Sequence, residues 1–105
     1  MKSKKVIKTP KIVDIRGLLA YLILHELSVK KLCGDELADN IGKRRCCEKL
    51  TPGTIYPALK ALRERKLVNV QVKGRRKVYT LSTLGKKEYA LAKNILKLSL
   101  KSALK

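Results

Sequence analysis

The sequence predicts a mainly α domain with one two-stranded β hairpin, and three observations lead there. Apolar residues recur at helical spacing in four segments. Between Val68 and Leu81 the period shortens to two, as in a strand pair. Capping residues, glycines and prolines fall at the joints between these segments.

The elements follow in chain order. Residues 1–11, MKSKKVIKTPK, are basic, poor in apolar residues and broken by Pro10, and read as a flexible arm. From Asp14, an N-cap, Ile15, Leu18, Leu19, Leu22, Ile23 and Leu27 define one buried face of helix one. Tyr21 and Leu24 fall on its other side, so this helix is expected to pack on two surfaces. A short basic link, SVKKLCG, leads to Gly34 and Asp35, where first-turn acids suit the positive end of helix two. Leu37, Ala38 and Ile41 face inward; the helix ends at Gly42 or continues through KRRCCEK toward Leu50. Thr51 caps helix three with Pro52 at its first position, and Ile55, Ala58, Leu59 and Leu62 form its inner stripe. Val68, Val70 and Val72 then point one way, KGRRK turns the chain, and Tyr79 and Leu81 return. Ser82 or Thr83 caps a last helix with a broad apolar band of Leu84, Leu91, Ala92, Ile95, Leu96, Leu98 and Ala103. Three helices and a hairpin make the winged helix-turn-helix plan, in which the third helix enters the major groove and the hairpin flanks it. It occupies residues 12–82, with residues 83–105 as a separate C-terminal helix.

Composition bounds the function. A chain of 105 residues builds one modest core and is expected to gain from a partner subunit. Its 26 Lys and Arg against 8 acids leave a net charge of +18, which repels itself unless a polyanion compensates. Without Trp or Phe and with only four Tyr, stacking on single-stranded bases is disfavoured, and duplex is favoured. Cys33, Cys46 and Cys47 are odd in number with two adjacent, which fits a reducing cytoplasm better than a disulfide framework. They form no metal-ligand spacing with the lone His25, so no metal or other cofactor is expected. The apolar run Leu18 to Leu24 is too short for a membrane span, and no small-residue cleavage site of a signal peptide follows it. No acid pair, nucleophile with a base or phosphate-cradling loop is present, so binding rather than catalysis is expected.

With Ile55 facing the core, Gly53, Tyr56, Pro57, Lys60 and Glu64 fall on the opposite side of helix three, with Thr54 and Arg63 on its flanks. Thr51, Gly53 and Thr54 crowd the first turn with small residues, letting backbone N–H groups approach a phosphate. Thr54, Tyr56 and Lys60 can reach base edges or phosphates. Pro57 removes one hydrogen bond and would tip the first turns. At the hairpin tip Lys73, Arg75, Arg76 and Lys77 surround Gly74, which suits phosphates or the minor groove. Lys43, Arg44 and Arg45 are weaker candidates, since cations already serve a helix C-terminus there.

LTPGTIYPALKALRERKLV followed by GRRKVYTLSTLGKKEY resembles the PadR-type transcriptional regulators. Their signature is a Ser/Thr-Pro-Gly-Thr-x-Tyr-Pro stretch, a leucine-bearing helix, a basic wing with Tyr, then Thr-x-x-Gly-Lys opening the C-terminal helix. The likeness is close from Leu50 to about Tyr89 and loose over helix one. It implies that Thr51, Thr54, Tyr56 and Lys60 lie at a DNA surface and Lys73, Arg75 and Arg76 in the wing. It also implies that the last helix packs on helix one of a second copy. Tyr21, Leu24, Tyr89, Ala92, Ile95, Leu96, Ser99 and Ala103 would then make the dimer contact. CGDELADNIG departs from the His-Gly-Tyr-type lead into helix two that is common in the family. The lack of Trp and Phe argues against an aromatic effector pocket, so no small-molecule inducer is expected. The expected function is a sequence-specific, double-stranded-DNA-binding repressor acting as a homodimer on a roughly palindromic site, in the cytoplasm. The rival is a sequence-blind chromatin protein or a ribosome-associated, RNA-binding winged helix, which the charge suits equally well.

Overall fold

A computed structural model describes residues 16–44 and 48–104; the basic arm, the Asp14 cap, Arg45, Cys46 and Cys47 lie outside the described residues. The elements are α1 (Arg16–Val29), β1 (Leu32–Cys33), α2 (Gly34–Arg44), α3 (Pro52–Glu64), β2 (Val68–Lys73), β3 (Arg76–Leu81) and α4 (Thr83–Ala103). No described helix is long and apolar enough to cross a membrane.

The core forms where the inner stripes of α1, α2 and α3 meet the sheet. Ile23, Leu37, Ile41, Ile55 and Leu59 are fully buried, with Leu62, Leu67, Val68, Tyr79 and Leu81 closing the cluster. The inner faces of α2 and α3 are those their periodicity predicts. That of α1 is not: Leu24, expected on an outer face, is only 6% exposed and belongs to the core. Leu18 to Leu24 is apolar almost all round, so helical spacing alone cannot single out one side.

The expected two-stranded hairpin is part of a three-stranded antiparallel sheet in the order β1-β3-β2. Leu32 and Cys33, read from sequence as a link, pair with Tyr79 and Val78. Glu36 at the third position of α2 accepts the Cys33 N–H at 2.9 Å, half of a capping box that ties this strand to the helix start. The β2–β3 register runs from Val68↔Leu81 to Lys73↔Arg76. This leaves a two-residue turn, with Gly74 at φ 63° in its first place, where a type II′ hairpin needs a residue free of a Cβ. Val72 points the same way as Val68 yet is exposed, because the hairpin outruns the core.

The turn after α3 is built like a Schellman motif: Leu67 N–H donates to Leu62 O at 3.0 Å and Lys66 N–H to Arg63 O at 2.9 Å. Lys66 occupies the left-handed position at φ 63°, where a side chain is strained. Lys66→Gly is therefore expected to raise stability by about 0.5–1 kcal/mol, read as a higher urea midpoint at unchanged slope. A lower midpoint would mean that the lysine side chain has a structural partner.

Ser82, not Thr83, caps α4. Its hydroxyl accepts from Gly85 N at 2.9 Å and donates to Lys66 O at 2.7 Å, while its N–H donates to Leu67 O at 3.1 Å. The end of α3 and the start of α4 are thus fastened at one point.

Candidate nucleic-acid interface

The outer face of α3 is open along its whole length. Thr51, Gly53, Thr54, Tyr56, Lys60 and Arg63 are all exposed, above the buried Ile55, Leu59 and Leu62. An amphipathic helix anchored by three branched apolar residues presents its other side rigidly, as a groove reader requires. The first turn differs in detail from expectation. Thr51 stands at the N-cap, but its side chain makes no capping hydrogen bond; its hydroxyl lies 3.2 Å from that of Thr54. Pro52 has no N–H, and Thr54 N–H donates to Thr51 O at 2.9 Å. Among the described residues the Gly53 N–H is therefore the amide of this turn left for an anion.

Tyr56 is 44% exposed, and its ring lies against Gly34 at the start of α2, where a Cβ would come within 2.7 Å of the ring and hydroxyl. The phenol thus has one edge supported and one edge in solvent. Beside it a groove of about 310 Å³ runs between α2 and α3, lined by Gly34, Asp35, Ala38, Lys49, Leu50, Pro52, Ile55 and Tyr56. Lys49 and Asp35 form an ion pair at its lip, which raises the lysine pKa.

Pro57 is accommodated within a helix that runs on to Glu64. Its missing N–H would have bonded the Gly53 carbonyl, so that oxygen has no partner in the helix ladder. Pro57→Ala is expected to stabilise the fold by about 1 kcal/mol or more while weakening DNA binding. Thermal melts and anisotropy titration read the two effects; no change in either would remove the proline from both roles.

The four wing cations divide into two groups. Lys73, Arg75 and Lys77 are exposed and have no ion-pair partner among the described residues. Arg76 turns back to the body, with Nη2 at 3.0 Å from Cys33 Sγ and 4.0 Å from Glu36 Oε1. The sulfur contact, then the carboxylate, pushes the guanidinium pKa further up. Glu36 is held low, first by the Cys33 N–H and then by charges including Arg76. Arg76 thus fastens the wing to β1 and α2, a task that no local pattern around it signals. Lys43 and Arg44 are likewise occupied, by Asp39 at 3.3 Å and by Glu26.

A second polar cluster joins α1, α2 and α4. Glu26, only 7% exposed, accepts from Arg44 and from Asn40 Nδ2 at 3.3 Å. Arg44 Nη2 lies 3.1 Å from His25 Nε2, and His25 Nδ1 lies 2.7 Å from the Tyr89 hydroxyl. Since a guanidinium only donates, Nε2 accepts and Nδ1 carries the proton given to Tyr89. His25, which looked isolated in sequence, is therefore structural. The Tyr89 ring also stacks on Tyr21 at 5.4 Å.

These contacts alter the expected dimer set. Leu24 is in the core and is withdrawn from it, and Tyr21 and Tyr89 meet within one chain. Ala92 and Leu96 are half-buried, whereas Ile95, Ser99 and Ala103 are exposed. The large apolar side chains left open on one side of α4 are Leu84, Leu91, Ile95 and Leu98, at 46, 56, 53 and 66%. Of these, only Ile95 was among the residues expected to make the contact.

Comparison with known proteins adds to this geometry. The family model described as Transcriptional regulator PadR-like family matches residues 21–91, about two thirds of the chain. No curated protein matches the sequence. Among solved structures, a putative transcriptional regulator from Thermoplasma acidophilum is 28% identical, with a TM-score of 0.73 over 90% of this chain and 92% of that one. A PadR family transcription regulator from Clostridium difficile is 27% identical, with a TM-score of 0.67 over 80% and 92%. A transcriptional regulator from Clostridium thermocellum shares the fold at 20% identity, with a TM-score of 0.76 over 90% and 95%.

Proposed function

Because the chain belongs to the PadR-like family of transcriptional regulators, DNA-binding proteins and not enzymes, we propose that it represses transcription as a homodimer on a near-palindromic duplex site. Each copy lays the outer face of α3 in the major groove, with Thr54, Tyr56 and Lys60 toward base edges and Arg63 toward the backbone. Thr51 and the Gly53 N–H take a phosphate at the helix start. Lys73, Arg75 and Lys77 take the backbone or minor groove beside it, while Arg76 sets the angle of the wing. Repression follows from occupying the site that the transcription machinery needs, and this locates the protein on cytoplasmic DNA.

The observation that carries this reading is the two-sidedness of α3: Tyr56 and Lys60 stay in solvent above a fully buried Ile55 and Leu59. Lys60→Ala should cost about 1–3 kcal/mol and relax base preference, whereas Arg75→Ala should weaken all sequences alike and lower the salt slope by about 1. The direct test is competition between selected promoter fragments and bulk genomic DNA at physiological salt. A regulator should prefer its site by about a thousandfold or more. A ratio near unity would favour the sequence-blind packaging role.

A further inference from the structure

α4 has three different sides. Gly85, Tyr89, Ala92 and Leu96 face the body, and Leu84, Leu91, Ile95 and Leu98 form the open apolar stripe. Lys86, Lys93, Lys97 and Lys101, spaced seven, four and four residues apart, share the third side. All four are exposed, and none has an ion-pair partner among the described residues. Only Lys93 has a neighbour of note, the Tyr89 ring, at 5.9 Å. Glu26, Asp35, Glu36 and Asp39, which pair with cations, sit on α1 and α2.

Like charges four residues apart destabilise a helix, and Lys93, Lys97 and Lys101 repeat that arrangement without relief from the chain itself. A row of about 22 Å is left for an external polyanion. It does not share the surface of the reading helix. α3 packs on α2, α1 and β2, while α4 packs on α1 and β3 and comes to α3 at its start, where Ser82 bonds Lys66 and Leu67 at the end of α3. We propose that this lysine row holds a second DNA duplex, separate from the one α3 reads, so that one protein bridges two segments. A lipid surface is the weaker fit, because, of the exposed apolar side chains of α4, Leu100 lies beside the row while Leu84, Leu91, Ile95 and Leu98 lie on another side. The proposal rests on DNA being the ligand, not on which sequence α3 reads.

The test uses the full chain and the triple variant Lys93→Gln, Lys97→Gln, Lys101→Gln, which keeps helix propensity. Protein bound to a bead-held short duplex is offered a labelled second duplex, and affinity for one short duplex is measured separately by anisotropy. The variant should capture about tenfold less second duplex or worse, with the salt slope of capture lowered by roughly 3. Its affinity for the single short duplex should change by less than about twofold. Equal capture by both proteins would mean bridging through two α3 faces and would overturn the proposal. So would an equal loss on the single duplex, which would place the lysines on the first DNA, or binding of the row to anionic vesicles in place of DNA. A native protein that binds one duplex but captures no second sinks the proposal alone; one that binds no duplex sinks the regulator reading with it.

Discussion

Gly85→Ala is expected to destabilise the fold by about 3 kcal/mol or more, lowering the melting temperature by more than about 12 °C. A Cβ at this position would fall well inside van der Waals contact of the Leu67 carbonyl oxygen, and 3.2 Å from Leu81 Cδ2. The oxygen cannot retreat cheaply. It accepts the Ser82 N–H at 3.1 Å, and Leu67 N–H in turn closes the end of α3 on Leu62 O at 3.0 Å. Making room for one methyl group therefore disturbs the α4 cap, the α3 turn and the first residue pair of the β2–β3 ladder together. For a small domain worth about 5–15 kcal/mol in all, such a loss leaves little margin. Gly53→Ala is the control, since the nearest atom to its Cβ is Thr51 Oγ1 at 3.9 Å. That change should stabilise α3 by up to about 1 kcal/mol while weakening DNA binding, because the methyl occupies the approach to the helix start. Chemical denaturation of both variants checks the pair. A Gly85→Ala protein that melts with the native one would show that α4 can lift from the α3 turn without cost.

The contrast between these two glycines marks what sequence can disclose. Both open a helix whose later residues repeat at helical spacing, and nothing in the chain says that one faces solvent and the other a carbonyl oxygen 18 residues earlier. Local rules did place the inner stripes of α2 and α3, the exposed outer face of α3 and the hairpin, because each depends on residues within a few positions of one another. What local rules cannot reach are pairings across the chain. β1 is two residues long, too short for any alternation, and exists because β3 offers it a free edge. His25 meets Tyr89 across 64 positions and Cys33 meets Arg76 across 43, so a lone histidine and a lone cysteine gave no hint of partners. One clue was present: Glu26, an acid within an apolar helix, signals a buried partner, which proved to be Arg44.

On the proposed homodimer, Leu91→Gln combined with Ile95→Gln is expected to leave a folded monomer with at least about hundredfold weaker binding to a two-half-site duplex. Both residues stand open on the single chain, at 56 and 53%, and neither belongs to its core, so the fold itself should melt almost unchanged. Each apolar side chain buried between copies is worth about 1.5 kcal/mol at the lower end, and a symmetric interface loses each of them twice. The dimer constant should thus weaken by about 6 kcal/mol, a factor of roughly ten thousand. Glutamine keeps the helix and adds no charge, so the phosphate attraction of each copy is unchanged. Affinity falls because the second head no longer benefits from the effective concentration supplied by the first. Light scattering gives the mass and anisotropy the affinity. A variant that remains dimeric would move the interface off the Leu84, Leu91, Ile95 and Leu98 stripe. A monomer with undiminished site affinity would show that one copy of α3 and its wing reads the whole operator.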